Sequence, residues 1–249
     1  FANNEIGSVN DIKTIGQICK ERNILFHVDA TQAVGKLKFD VSENHIDFMS
    51  FTAHKLYGPK GIGALYINNK NPKTKLAQRL FGGTQEGSIK PGTLNVPAIV
   101  GFGKAIEICE DELEKDFNHT LNLRDRFKKK LISNLDGIVI NGSIKDRLPN
   151  NLNFYIEGVR ADKLMLELRD LAFSNSSACA SGSSKPSSIL KAIGLTDDQA
   201  LCSVRFGFGR FNTIDEIDYS SAKVIEAINK LRTFNKTKSQ NKKQTVDQL

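Results

Sequence analysis

The sequence predicts an α/β fold, with an open and mostly parallel sheet in its first part and a smaller α+β domain after it. Two observations carry this prediction. Short apolar runs alternate with segments of helical periodicity, and polar residues follow the apolar runs where buried strands would end. In open sheets of this kind, ligands bind beyond the carboxyl ends of the strands. The sequence therefore predicts a ligand site at those strand ends.

The first part contains one helix, three strands and then a long helix. Ile12, Ile15, Ile18 and Cys19 share one helical face, which predicts a helix over residues 10–21. Apolar runs predict strands over residues 24–28, 47–51 and 61–67. An apolar stripe at three- and four-residue steps then runs from Ile99 to Leu131 and predicts one long helix.

The second part has shorter elements. We expect strands over residues 138–140, 151–156, 172–173 and 203–208, and helices over residues 162–169, 187–193 and 214–231. Thr196 with Gln199 and Thr213 with Glu216 have the spacing of capping boxes. The domain organisation that follows is a first domain over residues 1–110, a small domain over 111–233 and a basic, disordered tail over 234–249.

The composition is that of an ordinary globular protein, with 39% hydrophobic and 25% charged residues. No apolar run approaches the roughly 20 residues that a membrane-spanning helix needs, so we expect no membrane association. Lys and Arg outnumber Asp and Glu by 35 to 28, and six of the basic residues lie from Lys230 onward. This tail leaves a nucleic-acid-binding module as an alternative class. It has no interleaved aromatic residues for base stacking, so direct nucleic-acid binding is not expected.

Four cysteines, Cys19, Cys109, Cys179 and Cys202, are too few for a disulfide scaffold in a chain of 249 residues. They also lack the spacing of a zinc site, so no metal is expected. A reducing compartment is the default, which means the cytoplasm, or the mitochondrial matrix if the source is a eukaryote.

Polar side chains follow the first two predicted strands. Asp29 follows one strand, and Gln32, Thr52, His54 and Lys55 would project into the same crevice. Taken singly, Asp29 is equally compatible with a helix cap, Lys55 with a solvated charge and His54 with a core imidazole. Together they suit a cofactor with a basic ring nitrogen, a phenolic oxygen, a phosphate and an aldehyde, and pyridoxal phosphate has these four groups.

Two residues of the second part are candidates for chemistry. Cys179 lies in a run of small polar residues from Ser174 to Ser184, which predicts an exposed loop and an accessible thiol, although an incidental loop cysteine fits the composition too. Arg205 lies among apolar strand residues, where a guanidinium needs an anion. Its partner is either the carboxylate of a ligand or a structural ion pair.

The ordered motifs of the chain resemble those of the cysteine desulfurases, which are pyridoxal-phosphate enzymes of fold-type I, and specifically the branch with a long mobile nucleophile loop. The resemblance extends to about Leu231. It is carried by Asn3-Asn4-Glu5-Ile6-Gly7, His27-Val28-Asp29-Ala30-Thr31-Gln32, Ser50-Phe51-Thr52-Ala53-His54-Lys55, Pro91-Gly92-Thr93-Leu94-Asn95, Ser176-Ser177-Ala178-Cys179, Ser203-Val204-Arg205-Phe206 and Gly209-Arg210-Phe211.

The resemblance implies a role for each matching residue. Lys55 would hold the cofactor as a Schiff base and carry the substrate's α-proton, and Asp29 would pair with the ring nitrogen. Gln32 and Asn4 would bind the phenolic-oxygen side of the ring. Thr52 and His54 would bind the phosphate, and Thr93 would reach the phosphate of the partner subunit in a homodimer. Arg205, with Asn4, would bind the substrate L-cysteine, and Cys179 would take its sulfur as a persulfide.

The same resemblance implies that the persulfide passes to an iron–sulfur scaffold or another sulfur-acceptor protein, including one for tRNA thiolation. A selenocysteine lyase or a related aminotransferase that uses the same pocket is the alternative. Gly87 and Lys90 stand where the family commonly has arginines, and the basic tail replaces the usual scaffold-docking segment. The chain starts at Phe1, so we expect it to be the C-terminal part of a longer protein whose upstream part supplies the ring-stacking residue.

Overall fold

The computed structural model describes residues 1–175 and 186–246, with side chains described as far as residue 235. The chain forms two compact units. The first consists of Phe1–Ala2 and Val9–Lys115, and the second of Asn3–Ser8 and the chain from Asp116 onward. The sequence predicts a first domain over residues 1–110, whereas residues 3–8 group with the second unit, where Asn153 and Arg205 donate hydrogen bonds to their carbonyls.

The first unit contains a three-stranded sheet and the helix α1, Ile12–Glu21. The strands are β1, His27–Asp29, β2, Phe48–Thr52, and β3, Gly63–Ile67, in the order β1-β2-β3. β1 and β2 are parallel, with Asp29 opposite Ser50, whereas β3 is antiparallel to β2. Short 3-10 helices follow at Ala53–Lys55 and Gln85–Ser88.

Helix α1 and strand β1 contribute less apolar burial than the sequence predicted. Ile12 is buried, but Ile15 and Ile18 are 40% and 45% exposed. The helix packs closely against Asn44 at Gly16, where a Cβ atom would lie 2.0 Å from the carbonyl oxygen of Asn44. The buried face of the helix is narrow, because it consists of Ile12 and Gly16. β1 begins at His27 and is shorter than the strand predicted over residues 24–28. Ile24, the first residue of that predicted strand, lies outside β1 and is 56% exposed.

Helix α2, Val96–Asn134, is the long helix that the apolar stripe predicts, and the chain passes from one unit to the other within it. In the first unit its residues Phe102 and Cys109 pack with Ala53 and Leu56, which flank the turn containing Lys55. In the second unit its Phe127 belongs to the main core. Each half of the helix is therefore anchored in a different core.

The second unit contains a four-stranded sheet in the order β4-β5-β7-β6, with antiparallel pairing throughout. Its elements are β4, Ile138–Ile140, β5, Asn151–Ile156, α3, Ala161–Glu167, β6, Ser174–Asn175, α4, Ser188–Ala192, α5, Asp197–Leu201, β7, Ser203–Gly207, and α6, Ile214–Val246. The rings of Phe127 and Phe173 lie 4.7 and 4.8 Å from that of Phe206, so aromatic stacking supports the core behind β7.

Both predicted capping boxes are present. Thr196 and Gln199 exchange side-chain and backbone hydrogen bonds at the start of α5, and Thr213 and Glu216 do so before α6. Strand β6 lies at residues 174–175, two positions later than predicted.

Helix α6 continues to Val246, where the composition predicted a disordered tail. Lys and Gln are good helix formers, so a segment without apolar residues can extend a helix that is already nucleated. No helix in the described part of the chain is long and apolar enough to cross a membrane. Likewise, no group of three or more His, Cys, Asp or Glu residues there is placed to hold a metal ion.

Candidate active site

Asp29 and Lys55 lie at the carboxyl ends of two neighbouring parallel strands. Asp29 is the last residue of β1, and Lys55 ends the 3-10 helix that directly follows β2. The two strand ends are joined by a 2.9 Å hydrogen bond from the amide of Ala30 to the carbonyl of Ser50. This is the edge at which α/β sheets bind ligands.

The Asp29 carboxylate is exposed and ionised. It accepts a 2.9 Å hydrogen bond from the amide of Thr31, and hydrogen bonding to Thr31 is the main reason that the pKa of Asp29 is lowered from its ordinary value. Partial burial acts in the opposite direction and is the smaller effect. A fixed negative charge therefore stands at the end of β1, suited to a protonated ring nitrogen.

Thr52, His54 and Lys55 form a cluster of polar groups at the end of β2. The Thr52 hydroxyl donates to the carbonyl of Ile62 at 3.1 Å, and it lies 3.0 Å from Nδ1 of His54. The side chains of His54 and Lys55 are exposed. A hydroxyl, an imidazole and an amine at one strand end suit a phosphate and an aldehyde.

Lys36 is a further residue of this region, and no sequence pattern singles it out. Its side chain is half-buried, and its Nζ donates to the main-chain carbonyl of Lys55 at 3.3 Å. Burial and the positive charge of Lys55 lower the pKa of Lys36 to about 8, with Cys109 acting weakly in the opposite direction. Nothing in a single sequence distinguishes such a lysine from a solvated one.

Gln32, Thr93 and Lys90 are less closely tied to the strand ends. Gln32 lies in the turn of residues 31–36, directly after β1. Thr93 and Lys90 are exposed on the segment that leads into α2. Within the described residues, no hydrogen bond links Thr93 to the other expected cofactor-binding side chains, so its role depends on the resemblance alone.

Arg205 lies in the second unit, on the face of β7 that points away from the core. Val204 and Phe206 alternate with it and are buried in that core. Its guanidinium donates to the main-chain carbonyl of Asn4 at 3.0 Å and to the Ser174 hydroxyl at 3.3 Å. Among the described residues Arg205 forms no ion pair, so the structural ion pair that the sequence left open is not found there.

The segment containing Asn4 is held by a buried polar network. The side-chain amide of Asn153, which is opposite Arg205 in the β5–β7 register, donates to the carbonyl of Glu5 at 3.0 Å. Asn153 is itself fully buried and accepts a 2.7 Å hydrogen bond from Asn141. The side chain of Asn4 is exposed. The structure therefore brings the main chain of Asn4 to Arg205, and the substrate and cofactor roles of these residues stay predictions.

Cys179 lies outside the described residues, so its placement is not part of the structure. The other three cysteines are free thiols. Cys109 is buried beside Leu56, and burial raises the pKa of the Cys202 thiol from its ordinary value. A raised pKa disfavours the thiolate, which is the nucleophilic form.

The residues at the strand ends fit pyridoxal phosphate as a donor set. Asp29 supplies an ionised carboxylate for the ring nitrogen, Lys55 supplies an amine for the aldehyde, and Thr52 with His54 supplies polar groups for the phosphate. All four residues lie at or directly after the carboxyl ends of β1 and β2, and the side chains of Asp29, His54 and Lys55 are exposed.

Two curated relatives are similar to this chain. "Cysteine desulfurase IscS" from Vibrio atlanticus (strain LGP32) is 47% identical over 230 residues, which is 92% of this chain and 56% of the relative. "Cysteine desulfurase, mitosomal" from Encephalitozoon cuniculi is 46% identical over 230 residues, which is 92% of this chain and 53% of the relative. The chain thus spans a little over half the length of the curated relatives it matches.

The fold and the family are shown by two further comparisons. A solved structure, "NifS-like protein", superposes with a TM-score of 0.81 at 31% identity, covering 92% of this chain and 59% of that one. The expected α/β fold of fold-type I is thereby confirmed. Aminotransferase class-V enzymes, including the cysteine desulfurase relatives, depend on pyridoxal phosphate. The aminotransferase class-V family model matches residues 1–219, and the chain belongs to that family.

Proposed function

We propose that this protein is a pyridoxal-phosphate-dependent cysteine desulfurase that converts L-cysteine to L-alanine and keeps the sulfur as a persulfide on Cys179. The observation that carries this proposal is the placement of an ionised carboxylate, Asp29, and an amine, Lys55, at the carboxyl ends of two adjacent parallel strands. The relatives named cysteine desulfurase support the choice of reaction.

The strand-end residues would hold the cofactor and control its charge. When bound, pyridoxal phosphate supplies an electron-accepting ring that stabilises negative charge at the substrate's α-carbon. Asp29 would keep the ring nitrogen protonated, because a nearby negative charge favours the cationic form. Lys55 would bind the aldehyde carbon and then move the α-proton. Thr52 and His54 would bind the phosphate, and Gln32 the phenolic oxygen, with Asn4 on the same side.

Arg205 would bind the carboxylate of L-cysteine. Asn4 and Ser174 orient its guanidinium through neutral oxygen atoms, so no described residue neutralises its charge. A guanidinium held in this way binds a carboxylate through two parallel hydrogen bonds. The amino group and the thiol of the bound substrate then have a fixed direction.

Cys179 would accept the sulfur. The substrate's sulfur–carbon bond breaks, a sulfur–sulfur bond forms to Cys179, and the substrate carbon takes up a proton. One cysteine and one enzyme thiol thus become one alanine and one enzyme persulfide, with no external oxidant or reductant. A nucleophilic thiol of this kind must reach the thiolate state.

The assembly and the cell compartment are part of the same proposal. Exposed apolar side chains near the start of α2, among them Phe81 and Val100 at 81% and 65% exposure, are the kind of surface that a second subunit covers, which supports a homodimer with Thr93 at the partner's phosphate. The acceptor of the persulfide would be an iron–sulfur scaffold or another sulfur-acceptor protein in the cytoplasm or mitochondrial matrix.

The experiment uses the purified full-length gene product. We expect a yellow protein that loses its colour on borohydride reduction and releases sulfide and alanine in equal amounts from L-cysteine in the presence of a thiol reductant. Lys55→Ala should abolish the reducible absorbance. Cys179→Ser should keep the absorbance and lose the persulfide, while Cys19→Ser should change neither.

Two outcomes would overturn the proposal. One is a protein that stays colourless after incubation with pyridoxal phosphate. The other is persulfide formation that survives in the Cys179→Ser variant, which would place the nucleophile elsewhere. Activity with L-selenocysteine but none with L-cysteine would favour the lyase in place of the desulfurase. Light scattering of the same preparation tests the homodimer.

A further inference from the structure

The short helical turn that ends at Lys55 leaves the main-chain carbonyl of Lys55 without a hydrogen-bond donor from within the turn. The 3-10 helix Ala53–Lys55 is closed by the amides of Leu56 and Gly58, which both donate to the carbonyl of Ala53 at 2.9 Å. The carbonyl of Lys55 itself receives the ammonium group of Lys36 at 3.3 Å. A cation at the last carbonyl of a helical turn is favourable, because these carbonyls have no partner inside the helix.

The position of Lys36 is fixed by the packing of its neighbour, Gly35. Gly35 has a φ of +72°, and a Cβ atom there would lie 2.7 Å from Cδ2 of Leu56 and 3.0 Å from the sulfur of Cys109. The chain that carries Lys36 therefore touches the residue that follows Lys55. The amide of Lys36 donates to the carbonyl of Ala33 at 3.0 Å, which holds the backbone of the turn in place.

Lys36 has no counter-ion among the described residues. Its ammonium group lies near the like charge of Lys55, and its pKa of about 8 means that it still carries a proton at neutral pH. An exposed lysine would swing into water and away from a like charge. A half-buried one that stays beside Lys55 therefore acts on the backbone through its hydrogen bond and not through an ion pair.

We propose that Lys36 is a positioning residue for Lys55, whose ammonium group fixes the backbone from which the cofactor-binding amine extends. The inference rests on the proposed function, in which Lys55 binds pyridoxal phosphate. Its structural part, the immobilisation of the turn of residues 53–58, exists without the cofactor and is measured without it.

The test compares three variants of the full-length gene product. Lys36→Met removes the ammonium group and keeps the length of the stem, and Lys36→Arg restores a cationic donor. Lys38→Met is the matched control, because Lys38 is exposed two residues away and makes no side-chain hydrogen bond in the described part of the chain. Amide hydrogen exchange is measured on the cofactor-free protein, together with thermal unfolding.

We expect Lys36→Met to raise the exchange rate of peptides covering residues 53–58 about three- to tenfold, the effect of losing one hydrogen bond of ordinary net strength, because this bond is long and solvent-exposed. Exchange in β4 and β5 should be unchanged. With cofactor bound, kcat of Lys36→Met should fall about three- to tenfold. Its KM for L-cysteine should stay within about twofold of the wild-type value, since Arg205 is the proposed carboxylate site. Lys36→Arg should recover most of both losses.

Equal exchange in Lys36→Met and Lys38→Met would overturn the inference. The inference would also be overturned if Lys36→Arg did not restore the exchange protection of residues 53–58, or if protection were lost over the whole first unit. Either result would mean that Lys36 has a general packing role. If the wild-type protein binds no pyridoxal phosphate, the proposed function fails, and the exchange result still decides whether Lys36 immobilises the turn.

Discussion

The guanidinium group of Arg205 and the main-chain carbonyl of Asn4 lie 3.0 Å apart, although 201 positions of sequence separate them. The contact uses the backbone of Asn4 and not its side chain. It therefore orients the guanidinium group of Arg205 without neutralising its charge. A substitution at position 4 that keeps the backbone conformation should leave the guanidinium group in place.

Replacing Arg205 should weaken substrate binding more than it slows the later chemistry. Lysine cannot make the two parallel hydrogen bonds of a guanidinium, so we expect Arg205→Lys to raise the KM for L-cysteine about 10- to 100-fold, the loss of one charge-assisted hydrogen bond. Steady-state sulfide release measures this effect. Arg160→Lys, at an exposed ion pair with Asp162, is the control and should leave the KM unchanged.

Arg147 should contribute substantially to the stability of the second unit. Its buried guanidinium donates to the carbonyls of Ser143 and Asn141 and to the side-chain oxygen of Asn151. Burial, with the nearby charge of Arg124, lowers the pKa of Arg147 to about 10, so it remains protonated at neutral pH. Arg147→Met leaves three acceptors without their donor and should lower the free energy of unfolding by about 2–4 kcal/mol.

Urea unfolding at pH 7, followed by circular dichroism, measures this loss. The comparison is Arg160→Met, which removes only an exposed ion pair and should change stability by less than about 0.5 kcal/mol. Equal losses in the two variants would contradict the expectation.

Gly35 and Gly61 form a matched pair for testing packing against the Lys55 turn. Both have positive φ, +72° and +84°, but a Cβ at Gly35 would collide with Leu56 and Cys109, whereas a Cβ at Gly61 would meet nothing within 4 Å. Gly61→Ala should cost about 1–2 kcal/mol of stability for the backbone alone. Gly35→Ala should cost about 1–3 kcal/mol more because of overpacking. Thermal unfolding of both variants tests this difference, and a Gly35→Ala variant as stable as Gly61→Ala would refute it.

Asp218 should stabilise the protein at neutral pH and not in acid. It accepts two 2.6 Å hydrogen bonds from Arg126 and pairs with Lys130, and these contacts lower the pKa of Asp218 well below its ordinary value. A carboxyl with a lowered folded-state pKa adds its full stability above its unfolded pKa of about 4. This stability declines as the pH falls below that value and is lost only as the pH falls through the folded-state pKa.

The measurement is the urea midpoint of the wild type and of Asp218→Asn between pH 7 and pH 3. The wild type should have the higher midpoint at pH 7, and the gap should shrink below about pH 4. Asp136→Asn is the control, since Asp136 is exposed and pairs with no cation in the described part of the chain. A gap as large at pH 3 as at pH 7 would mean that the pairing with Arg126 and Lys130 is not its source.

The strand-end part of the candidate site could be predicted from the sequence because it depends on local patterns. Apolar runs that end in polar residues locate the ends of β1 and β2, and parallel pairing then places Asp29 and Lys55 at one edge. The long helix and both capping boxes are also local signals, which is why they were predicted close to their observed positions.

The parts that could not be predicted depend on contacts between residues distant in sequence. The docking of residues 3–8 in the second unit uses hydrogen bonds to Asn153 and Arg205, which no periodicity reveals. The contact of Lys36 with the Lys55 carbonyl is of the same kind. The continuation of α6 to Val246 has another cause: the low apolar content of this segment predicts disorder, whereas the helix propensity of its Lys and Gln residues favours the helix.

The placement of Asn3–Ser8 in the second unit has a consequence for biosynthesis. During translation this segment is made before β5 and β7, the strands that bind it, which follow some 150 to 200 residues later. Its hydrogen bonds to Asn153 and Arg205 can therefore form only after the chain of the first unit has been synthesised. A nascent chain that stops before Ser203 lacks Arg205, so the main-chain carbonyl of Asn4 has no guanidinium group to contact.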